Sequence, residues 1–483
     1  MKHLTKLSCM FLTLMLICSV FYGCMNPNTD NSTSEPDTTL STITQNQDTT
    51  IVTDTTVADT TIVADTTVTE TTIGDTTANT TESDGGTTMP DTYKALNYSN
   101  MKALWMSQFD LSSIYCDSGA QRSESSYTTL IKAALSNCKS IGFNTIIVQM
   151  RPNADSMYPS DYYPPSIYVV GAYGNSFTYD PMEILIEEAH KLDLSVQAWI
   201  NPLRGMTTTQ INSINSKYTI RQWYSDSSKM GLYLVNVSNR LYLNPTYPEV
   251  RQLIIDGAAE ILDKYDVDGL HMDDYFYPTT DASFDSAAYA AYKSAGGSLS
   301  LADYRRGEIN KLVKGLYDMI QATEADAILG VSPAGNYDTT YNNLYADIKT
   351  WCGTEGYIDY ICPQAYFGFE HQTYDFVKVV TYYNNLIKTD SVKLIIGMSL
   401  GKALNGSKGT GDTYAGTGKN EWIENTDVLK RCLEYTENLS HCSGVAYFCY
   451  QYFYTPGTNT QISGTATERA NFVPILKTIV WTE

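Results

Sequence analysis

The sequence predicts an α/β fold for residues 94–483: a (β/α)8 barrel of the TIM type with enlarged loops. Segments with strand character alternate with helical patterns in eight units, over a length well above the ~250 residues of a bare barrel. Runs such as Thr145–Val148 are almost wholly apolar, as is typical of parallel strands that are covered on both faces. A doubly wound open sheet would carry a glycine-rich phosphate-binding turn after its first strand, and the sequence has none there.

Each element is placed by the spacing of its apolar residues. In the third helix, Val250, Leu253, Ile254, Ala258 and Ile261 recur at helical intervals. The strands are predicted at Ala103–Ser107, Thr145–Gln149, Ser195–Ile200, Leu270–Met272, Ile328–Val331, Tyr360–Cys362, Lys393–Met398 and Val445–Phe448. The helices are predicted at Tyr127–Ile141, Met182–Lys191, Glu249–Lys264, Tyr304–Ala322, Leu344–Trp351, Tyr374–Lys388, Val428–Leu439 and Thr467–Thr478.

Residues 1–24 have the pattern of a lipoprotein signal peptide. A basic start is followed by an apolar stretch, Leu7 to Val20, that is short for a membrane span. The sequence Gly23-Cys24 resembles a bacterial lipobox, which predicts lipidation of Cys24 and anchoring at the outer side of the cell membrane. Phe21 stands where Leu is usual, so plain secretion after cleavage near Gly23 is the alternative.

Residues 25–93 are predicted to be a disordered linker rich in Thr and Asp. The tripeptide Asp-Thr-Thr recurs there, and no Lys or Arg occurs between Asn26 and Thr92. Because β-branched residues stiffen the backbone and acidic side chains repel one another, such a segment stays extended and buries no core. We expect it to hold the folded domain away from a surface.

Functional side chains of a barrel enzyme come from the residues just after each strand. The polar and aromatic residues at these places are Gln108, Asp110, Arg151, Asn153, Asp155, Asn201, Arg204, Asp273, Asp274, Tyr275, Ser332, Gln364, Tyr366, Tyr450, Gln451 and Tyr452. Sugar hydroxyls need paired donors and acceptors, and pyranose rings need aromatic platforms. The set therefore predicts a carbohydrate site at one mouth of the barrel. Tyrosines 158, 162, 163, 168 and 173, all in one long loop, are expected to wall it.

The fourth strand ends in two adjacent carboxylates. Alternate residues of a strand share a face, so His271 and Asp273 are expected to point into the lumen, and Leu270 and Met272 away from it. Asp273 would then face the ligand, with His271 one layer below as a hydrogen-bonding partner, and Asp274 at the rim.

A glycosidase needs two carboxyl groups roughly 5 to 9 Å apart. We expect Asp273 to attack or stabilise the anomeric carbon, and Asp155 to donate the proton. The other candidates for the second acid are Asp110, Asp338 and Glu370, and Asp155 itself is read equally well as a cap within its loop. The side chains expected to bind substrate are Arg151, Asn153, Asn201, His271, Tyr275, Gln364 and Tyr366.

No metal site or cofactor is predicted. Of the 10 cysteines, those after the leader are odd in number and show no zinc-type spacing, so we expect no disulfide framework, although one or two bridges stay open. A hydrolytic metal site built from His271, Asp273 and Asp274 is the competing arrangement. The formal net charge of −21 argues against nucleic acid as a partner. We expect a monomer that binds a glycan and contacts the membrane only through Cys24.

Several of these segments, in this order, resemble the glycosyl hydrolase-like 10 family over roughly residues 98 to 405. They are Gly142–Asn144, Gln149–Asp155, Tyr179–Pro181, Ala198–Pro202, Asp266–Pro278, Tyr304–Arg306, Ser332-Pro333 and Pro363–Tyr366. The resemblance implies a TIM-type barrel and glycoside hydrolase activity, in a family whose members are often envelope lipoproteins, some of them linked to cell-wall glycan strands. By this resemblance, the acidic strand end of the family corresponds to Asp273 and Asp274. Its Arg-Pro-x-x-Asp motif corresponds to the run from Arg151 to Asp155. Tyr304 departs from the family's usual Trp.

The sequence thus predicts a surface-tethered glycoside hydrolase that acts on a polysaccharide, with peptidoglycan glycan strands as one candidate. Two alternatives stay open. One is a carbohydrate-binding lipoprotein without turnover, which would bind sugars and release no reducing ends. The other is a metal-dependent polysaccharide hydrolase or deacetylase, which a chelator would inhibit.

Overall fold

A computed structural model describes residues 93–274, 276–324 and 326–482. The predicted signal peptide, Cys24, all of the linker ahead of Tyr93, and Tyr275 lie outside the described residues.

Eight parallel strands close into a barrel in which neighbours in sequence are neighbours in space. They are β1 Met101–Met106, β2 Thr145–Arg151, β3 Ser195–Ile200, β4 Gly269–Met272, β5 Ile328–Val331, β6 Tyr360–Ile361, β7 Lys393–Ser399 and β8 Cys442–Phe448. The first strand pairs with both β2 and β8, which closes the ring. The (β/α)8 prediction is confirmed, and every predicted strand is present with shifts of at most a few residues at its ends.

The outer layer holds the predicted helices. They are α1 Glu124–Ile141, α2 Pro181–His190, α3 Pro248–Lys264, α4 Leu301–Thr323, α5 Ile348–Gly353, α6 Phe376–Leu386, α7 Val428–Tyr435 and α8 Ala466–Thr478. The helix α5 begins later than the predicted Leu344, because Asp347 caps it by accepting a hydrogen bond from the Thr350 backbone. Across the described ranges, no helix is both long and apolar enough to cross a membrane.

The extra length lies in the loops at the C-terminal ends of the strands. A helix, Gln108–Tyr115, follows β1, and a three-stranded antiparallel sheet follows β3. We call this sheet the loop sheet; its strands are Arg204–Thr207, Leu234–Val237 and Arg240–Leu243. The prediction of enlarged loops is therefore confirmed, and the loop sheet stands directly beside the end of β3.

Side chains alternate between the lumen and the layer under the helices. Leu270 and Met272 of β4 pack outward in the core shared with the helices. His271 lies between them in sequence and is fully buried in the lumen, where its ring contacts Trp105 and Tyr360. The predicted parity of the fourth strand is confirmed, and it places Asp273 on the lumen side of the strand end.

The opposite end of the barrel is fastened by one carboxylate, which we call the Asp268 clamp. Asp268 is fully buried just before β4. It accepts hydrogen bonds from the Tyr93 hydroxyl at 2.5 Å and from the backbone N–H of Leu96. Its other oxygen meets His190 Nε2 at 3.0 Å and the Val196 N–H at 2.6 Å. The first described residues of the chain are thereby held at the N-terminal ends of β3 and β4.

Candidate active site

A relay of oriented side-chain amides leads across the first strands to Asp273. Gln149, at the end of β2, accepts from the Gln108 N–H at 2.7 Å and donates through Nε2 to Asn201 Oδ1 at 2.7 Å. With its oxygen so occupied, Asn201 turns its Nδ2 toward Asp273 and donates to Oδ2 at 2.5 Å. Asn201, which we expected to bind substrate, thus lies in direct contact with Asp273.

The second carboxylate, Asp274, has a different environment. It is half-buried at the rim, where burial raises its pKa to about 6. A hydrogen bond with the Gln364 side chain and the positive charge of Arg204 oppose the rise in pKa without cancelling it. Gln364 is itself fixed by donating to the Ser332 carbonyl at 3.2 Å. A carboxyl group that keeps its proton to about pH 6 is suited to protonating a leaving group.

His271 is locked in the layer beneath the carboxylates. Trp105 Nε1 can only donate, and it lies 3.3 Å from His271 Nε2. The ring proton is therefore on Nδ1, which donates to the Tyr360 hydroxyl at 2.7 Å. Burial lowers the pKa of His271 to about 3, so the ring stays neutral.

Both nitrogens of His271 are thus occupied, which disfavours the competing metal arrangement and direct sugar contact alike. The structure instead gives His271 a supporting place under Asp273. Within residues 93–274, 276–324 and 326–482, no group of three or more His, Cys, Asp or Glu side chains is arranged to hold a metal ion.

Arg151 does not face the mouth, contrary to the prediction. A β-bulge shifts the pairing of β2 with β3 between Gln149 and Arg151, so Arg151 takes the outward orientation of its partner Ile200. Its guanidinium is buried under α3, over the Tyr163 ring at 4.3 Å, and donates to the Ile254 carbonyl at 3.4 Å. In this position it fastens the loop after β2 to the helix and touches no substrate.

This packing predicts opposite effects for two glycine replacements in helices. A Cβ on Gly257 in α3 would press on the Tyr163 ring and lie 2.6 Å from Arg151 Nη1. We expect Gly257→Ala to lower the free energy of unfolding by about 1–3 kcal/mol through overpacking. Gly307 in α4 has no neighbouring atom within 4 Å of an added Cβ. Gly307→Ala should raise stability by roughly 0.5–1 kcal/mol, since alanine favours helix. Urea unfolding of both variants measures the contrast, and stabilisation by Gly257→Ala would contradict the packing.

Asp155 and Asn153 are engaged within their own loop. Asp155 is fully buried, accepts from the Asn153 N–H at 2.8 Å and from the Tyr173 hydroxyl at 2.9 Å, and has its pKa raised by burial. Asn153 accepts at Oδ1 from Arg240 Nη1 at 3.0 Å. These contacts fit the alternative reading of Asp155 as a loop cap, and they give Asn153 a place between the loop and the loop sheet.

The other candidates for the second acid are also accounted for. Asp110 forms a capping box with Ser107 and accepts from the Gln451 N–H at 2.7 Å, so it ties the end of β1 to the end of β8. Burial raises the pKa of Asp110 to about 6, yet the side chain is fully enclosed. Asp338 accepts from the Tyr374 hydroxyl at 3.1 Å, and Glu370 is exposed. Of the predicted acids, Asp274 best combines access with a raised pKa.

Aromatic rings line the mouth on the side of β6 and β8. Tyr366 is half-buried, and its ring lies 5.8 Å from that of Phe448. Phe448 in turn meets Trp105 at 6.2 Å and Tyr452 at 6.3 Å. Tyr366 therefore stands where a platform for a sugar ring was predicted.

The tyrosine-rich loop divides into two groups. Tyr158 and Tyr163 are buried against α3, which the prediction of a wall did not anticipate. Tyr168 and Tyr173 reach Gln108 and Asp155, on the mouth side of the loop. Of these four tyrosines, only Tyr168 and Tyr173 are placed to wall the site, and Tyr162 lies near Asp256 and Glu260 of α3.

Sequence reasoning missed two contributors to the site. Gln149 was treated as part of a strand, although a polar side chain inside an otherwise apolar run was a usable signal. Arg240 lies in the loop sheet, far along the chain from any barrel strand end. Nothing in its local sequence distinguished it.

A closed parallel barrel that presents adjacent carboxylates, oriented amides and aromatic rings at its C-terminal mouth has the architecture in which barrel enzymes hold their active sites. The chain belongs to the glycosyl hydrolase-like 10 family, whose model matches residues 100–411.

Two relatives and one solved structure show how similar this chain is to known proteins. Glycosyl hydrolase YngK of Bacillus subtilis (strain 168) is 36% identical over 291 residues, which are 56% of this chain and 55% of YngK. Glycosyl hydrolase DigH of Escherichia coli O6:H1 is 30% identical over 350 residues, which are 68% of this chain and 77% of DigH. The chain therefore spans little more than half the length of YngK.

The barrel also matches the glycoside hydrolase domain of PgaB (BpsB) from Bordetella bronchiseptica, with a TM-score of 0.50 and 12% identity. That match covers 77% of this chain and 98% of the domain, and at this identity it concerns the fold alone.

Proposed function

We propose that this protein is an extracellular, lipid-anchored glycoside hydrolase that cleaves a polysaccharide, with peptide-free peptidoglycan strands as the first candidate. The observation that carries the proposal is the unequal pair at the end of β4. Asp273 is held as an acceptor by Asn201, and Asp274 has a pKa raised by burial to about 6. A carboxyl group that keeps its proton, next to a carboxyl group held in place by an amide, suits the roles of an acid and its partner. Membership of a glycosyl hydrolase-like family supports the same class of reaction.

In the proposed mechanism, Asp274 transfers its proton to the glycosidic oxygen as the bond to the anomeric carbon breaks. Asp273 faces that carbon and balances the positive charge that develops on the sugar ring. Water supplies the hydroxyl group of the new reducing end and returns a proton to the enzyme. Gln364 holds Asp274 in place, and Tyr366 offers a ring face to the sugar.

The activity should decline above about pH 6. Because the pKa of Asp274 is raised from 3.8 to about 6, the group is protonated below that pH and loses its proton above it. A proton donor works only in its protonated form, so kcat/KM is expected to fall about tenfold per pH unit on the alkaline side. The pH dependence of kcat/KM on a soluble oligosaccharide measures this. A rate that still rises between pH 6 and 8 would assign the donor to another group.

The deciding assay is release of new reducing ends from peptide-free peptidoglycan strands and from a panel of polysaccharides. The wild-type protein is compared with Asp273→Asn, and full activity of this variant would refute the assignment. Sugar binding by calorimetry without any released reducing end would instead support a carbohydrate-binding lipoprotein. Inhibition by a chelator would support the metal-dependent alternative.

Lipid anchoring has its own test. Cys24→Ser should move the protein from the membrane fraction to the medium and abolish incorporation of labelled fatty acid. Cys18→Ser, a change in the apolar stretch of the same leader, is the matched control and should leave both unchanged. Labelling that persists in Cys24→Ser would exclude this anchor.

A further inference from the structure

The amide relay that ends on Asp273 lies almost wholly out of contact with solvent. Its members, Gln108, Gln149, Asn201 and Asp273, are each 2–3% exposed. They come from the ends of β1, β2, β3 and β4, which are consecutive neighbours in the barrel. The three hydrogen bonds between them measure 2.7, 2.7 and 2.5 Å. Because buried polar groups need partners within the protein, each member depends on the next one.

The first group of the relay fixes the direction of the amides that follow. It is the backbone N–H of Gln108, which can only donate. Gln149 must therefore turn its Oε1 to Gln108 and its Nε2 to Asn201. Asn201 must in turn present Oδ1 to Gln149 and Nδ2 to Asp273. One backbone group thus decides that Asp273 Oδ2 meets a donor.

The backbone N–H of Gln108 is itself held firmly. Gln108 begins the helix that follows β1, and the first N–H groups of a helix have no partner within it. Ser107 caps this helix through a capping box with Asp110. Asp110 also accepts from the Gln451 N–H, just after β8, at 2.7 Å. The relay therefore starts from a point fastened to β8 and crosses β1, β2 and β3 to reach β4.

We propose that Gln149 is a positioning residue, which sets the direction of the Asn201 amide and thereby holds the Asp273 carboxylate in place. This inference rests on the proposed function for the role of Asp273, and it adds a residue that acts on that acid only through Asn201. An Asn201 amide turned the other way would place its Oδ1 against Asp273 Oδ2. Two acceptors at this distance repel each other, so the carboxylate would be displaced. A displacement of about 1 Å at a reacting group lowers a rate on the order of 10²-fold.

Two replacements of Gln149 of similar size separate the direction of the relay from packing. Gln149→Glu keeps an acceptor for the Gln108 N–H, but once ionised it has no hydrogen to donate to Asn201. Between about pH 5 and 9 its kcat relative to wild type should therefore fall as pH rises, on the order of 10²-fold, with KM little changed. Gln149→Met loses both hydrogen bonds yet leaves Asn201 able to donate to Asp273. Its kcat should fall by less than about tenfold, by the same factor at every pH.

Gln197→Glu is the matched control. Gln197 is fully buried on the same face of β3 as Asn201, but it lies toward the N-terminal end of the strand. It donates to Asn97 Oδ1 and to Ser195 Oγ, both at 3.1 Å. The control introduces the same buried carboxyl group outside the relay, so its kcat relative to wild type should not depend on pH. Thermal unfolding at each pH separates a loss of folded protein from a loss of kcat.

A double-variant cycle tests the relay without any substrate. If Gln149→Glu reverses the Asn201 amide, the Asn201 Oδ1 faces position 273, where Asp273→Asn supplies a hydrogen that it can accept. At alkaline pH the two substitutions should therefore compensate, so that the Tm of the double variant lies above the sum of the single shifts. With Gln149→Met in place of Gln149→Glu, the shifts in Tm should add.

Two outcomes would overturn the inference. One is additive shifts in Tm for Gln149→Glu and Asp273→Asn at alkaline pH. The other is a Gln149→Glu variant whose kcat relative to wild type is the same at every pH. A coupled cycle in a protein that hydrolyses no glycan would uphold the role of Gln149 in the relay and reject the hydrolase. An additive cycle in an active enzyme would reject the relay and leave the proposed function in place.

Discussion

Asp274→Asn is expected to lower kcat by about 10²–10⁴-fold on a glycan whose leaving group is an ordinary sugar. The amide has nearly the same size and can keep its contact with Gln364, but it has no proton to give. The sugar alkoxide is too basic to leave unprotonated, so the barrier rises by the amount that proton donation had removed. The alkaline decline near pH 6 should disappear together with the group that titrates there.

A comparison of substrates with different leaving groups tests whether the function lost in Asp274→Asn is proton donation. A dinitrophenyl glycoside leaves as a weakly basic phenolate and needs little protonation, so Asp274→Asn should cleave it at close to the wild-type rate. Asp273→Asn should be impaired on both substrates, because the charge at the anomeric carbon is needed in either case. Asp155→Asn serves as the comparison. If Asp155 were the donor, it would show the leaving-group dependence and Asp274→Asn would not.

Asp285→Asn is expected to lower the free energy of unfolding by about 3–5 kcal/mol. Asp285 and Arg305 of α4 form a salt bridge in which both side chains are fully buried, with N–O distances of 2.7 and 2.9 Å. Removal of one charge would leave the other buried without its counter-ion. The same guanidinium donates to the Thr280 and Asp281 carbonyls at 3.2 and 2.7 Å, so it also fixes the loop that follows Asp273 and Asp274.

The matched control for this prediction is Asp318→Asn on the same helix. Asp318 pairs with Lys314 at the surface, where its side chain is 57% exposed, and its loss should change stability by less than about 0.5 kcal/mol. Urea unfolding followed by circular dichroism measures both variants. If both substitutions lowered the free energy of unfolding equally, burial would not explain the contribution of the Asp285–Arg305 pair to stability. Activity of folded Asp285→Asn should also fall, since the loop after Asp274 loses its attachment.

The sequence was sufficient for the barrel because parallel strands and their covering helices leave strong local patterns. Ser195–Ile200 and Ile328–Val331 have the predicted bounds. The alternation along β4 was equally accessible, since it depends only on strand geometry. It correctly separated His271 and Asp273 from Leu270 and Met272.

The side chains around the carboxylates were harder to predict, because their directions depend on irregular backbone. Alternation alone would put Arg151 in the lumen beside Gln149. The bulge between the two residues instead turns the Arg151 side chain outward. The sequence left Asp155 open between a catalytic acid and a loop cap, because its contacts with the Asn153 N–H and the Tyr173 hydroxyl depend on how the loop folds. Arg240 reaches Asn153 only because an antiparallel pairing brings its strand beside the strand that Arg204 opens, where Arg240 lies opposite Thr207.

The Asp268 clamp has a consequence for the proposed anchoring of the protein through its N-terminal segment. Tyr93 and Leu96 join the barrel at the N-terminal ends of the strands, whereas Asp273 and Asp274 lie at the opposite ends. A pull on the chain ahead of Tyr93 would therefore act at the pole of the barrel opposite these carboxylates. In a protein anchored through that segment, as proposed, the attachment point and the proposed site would lie at opposite ends of the barrel. The length of the N-terminal segment, rather than the shape of the barrel, would then set how far from the anchor the site can meet a glycan.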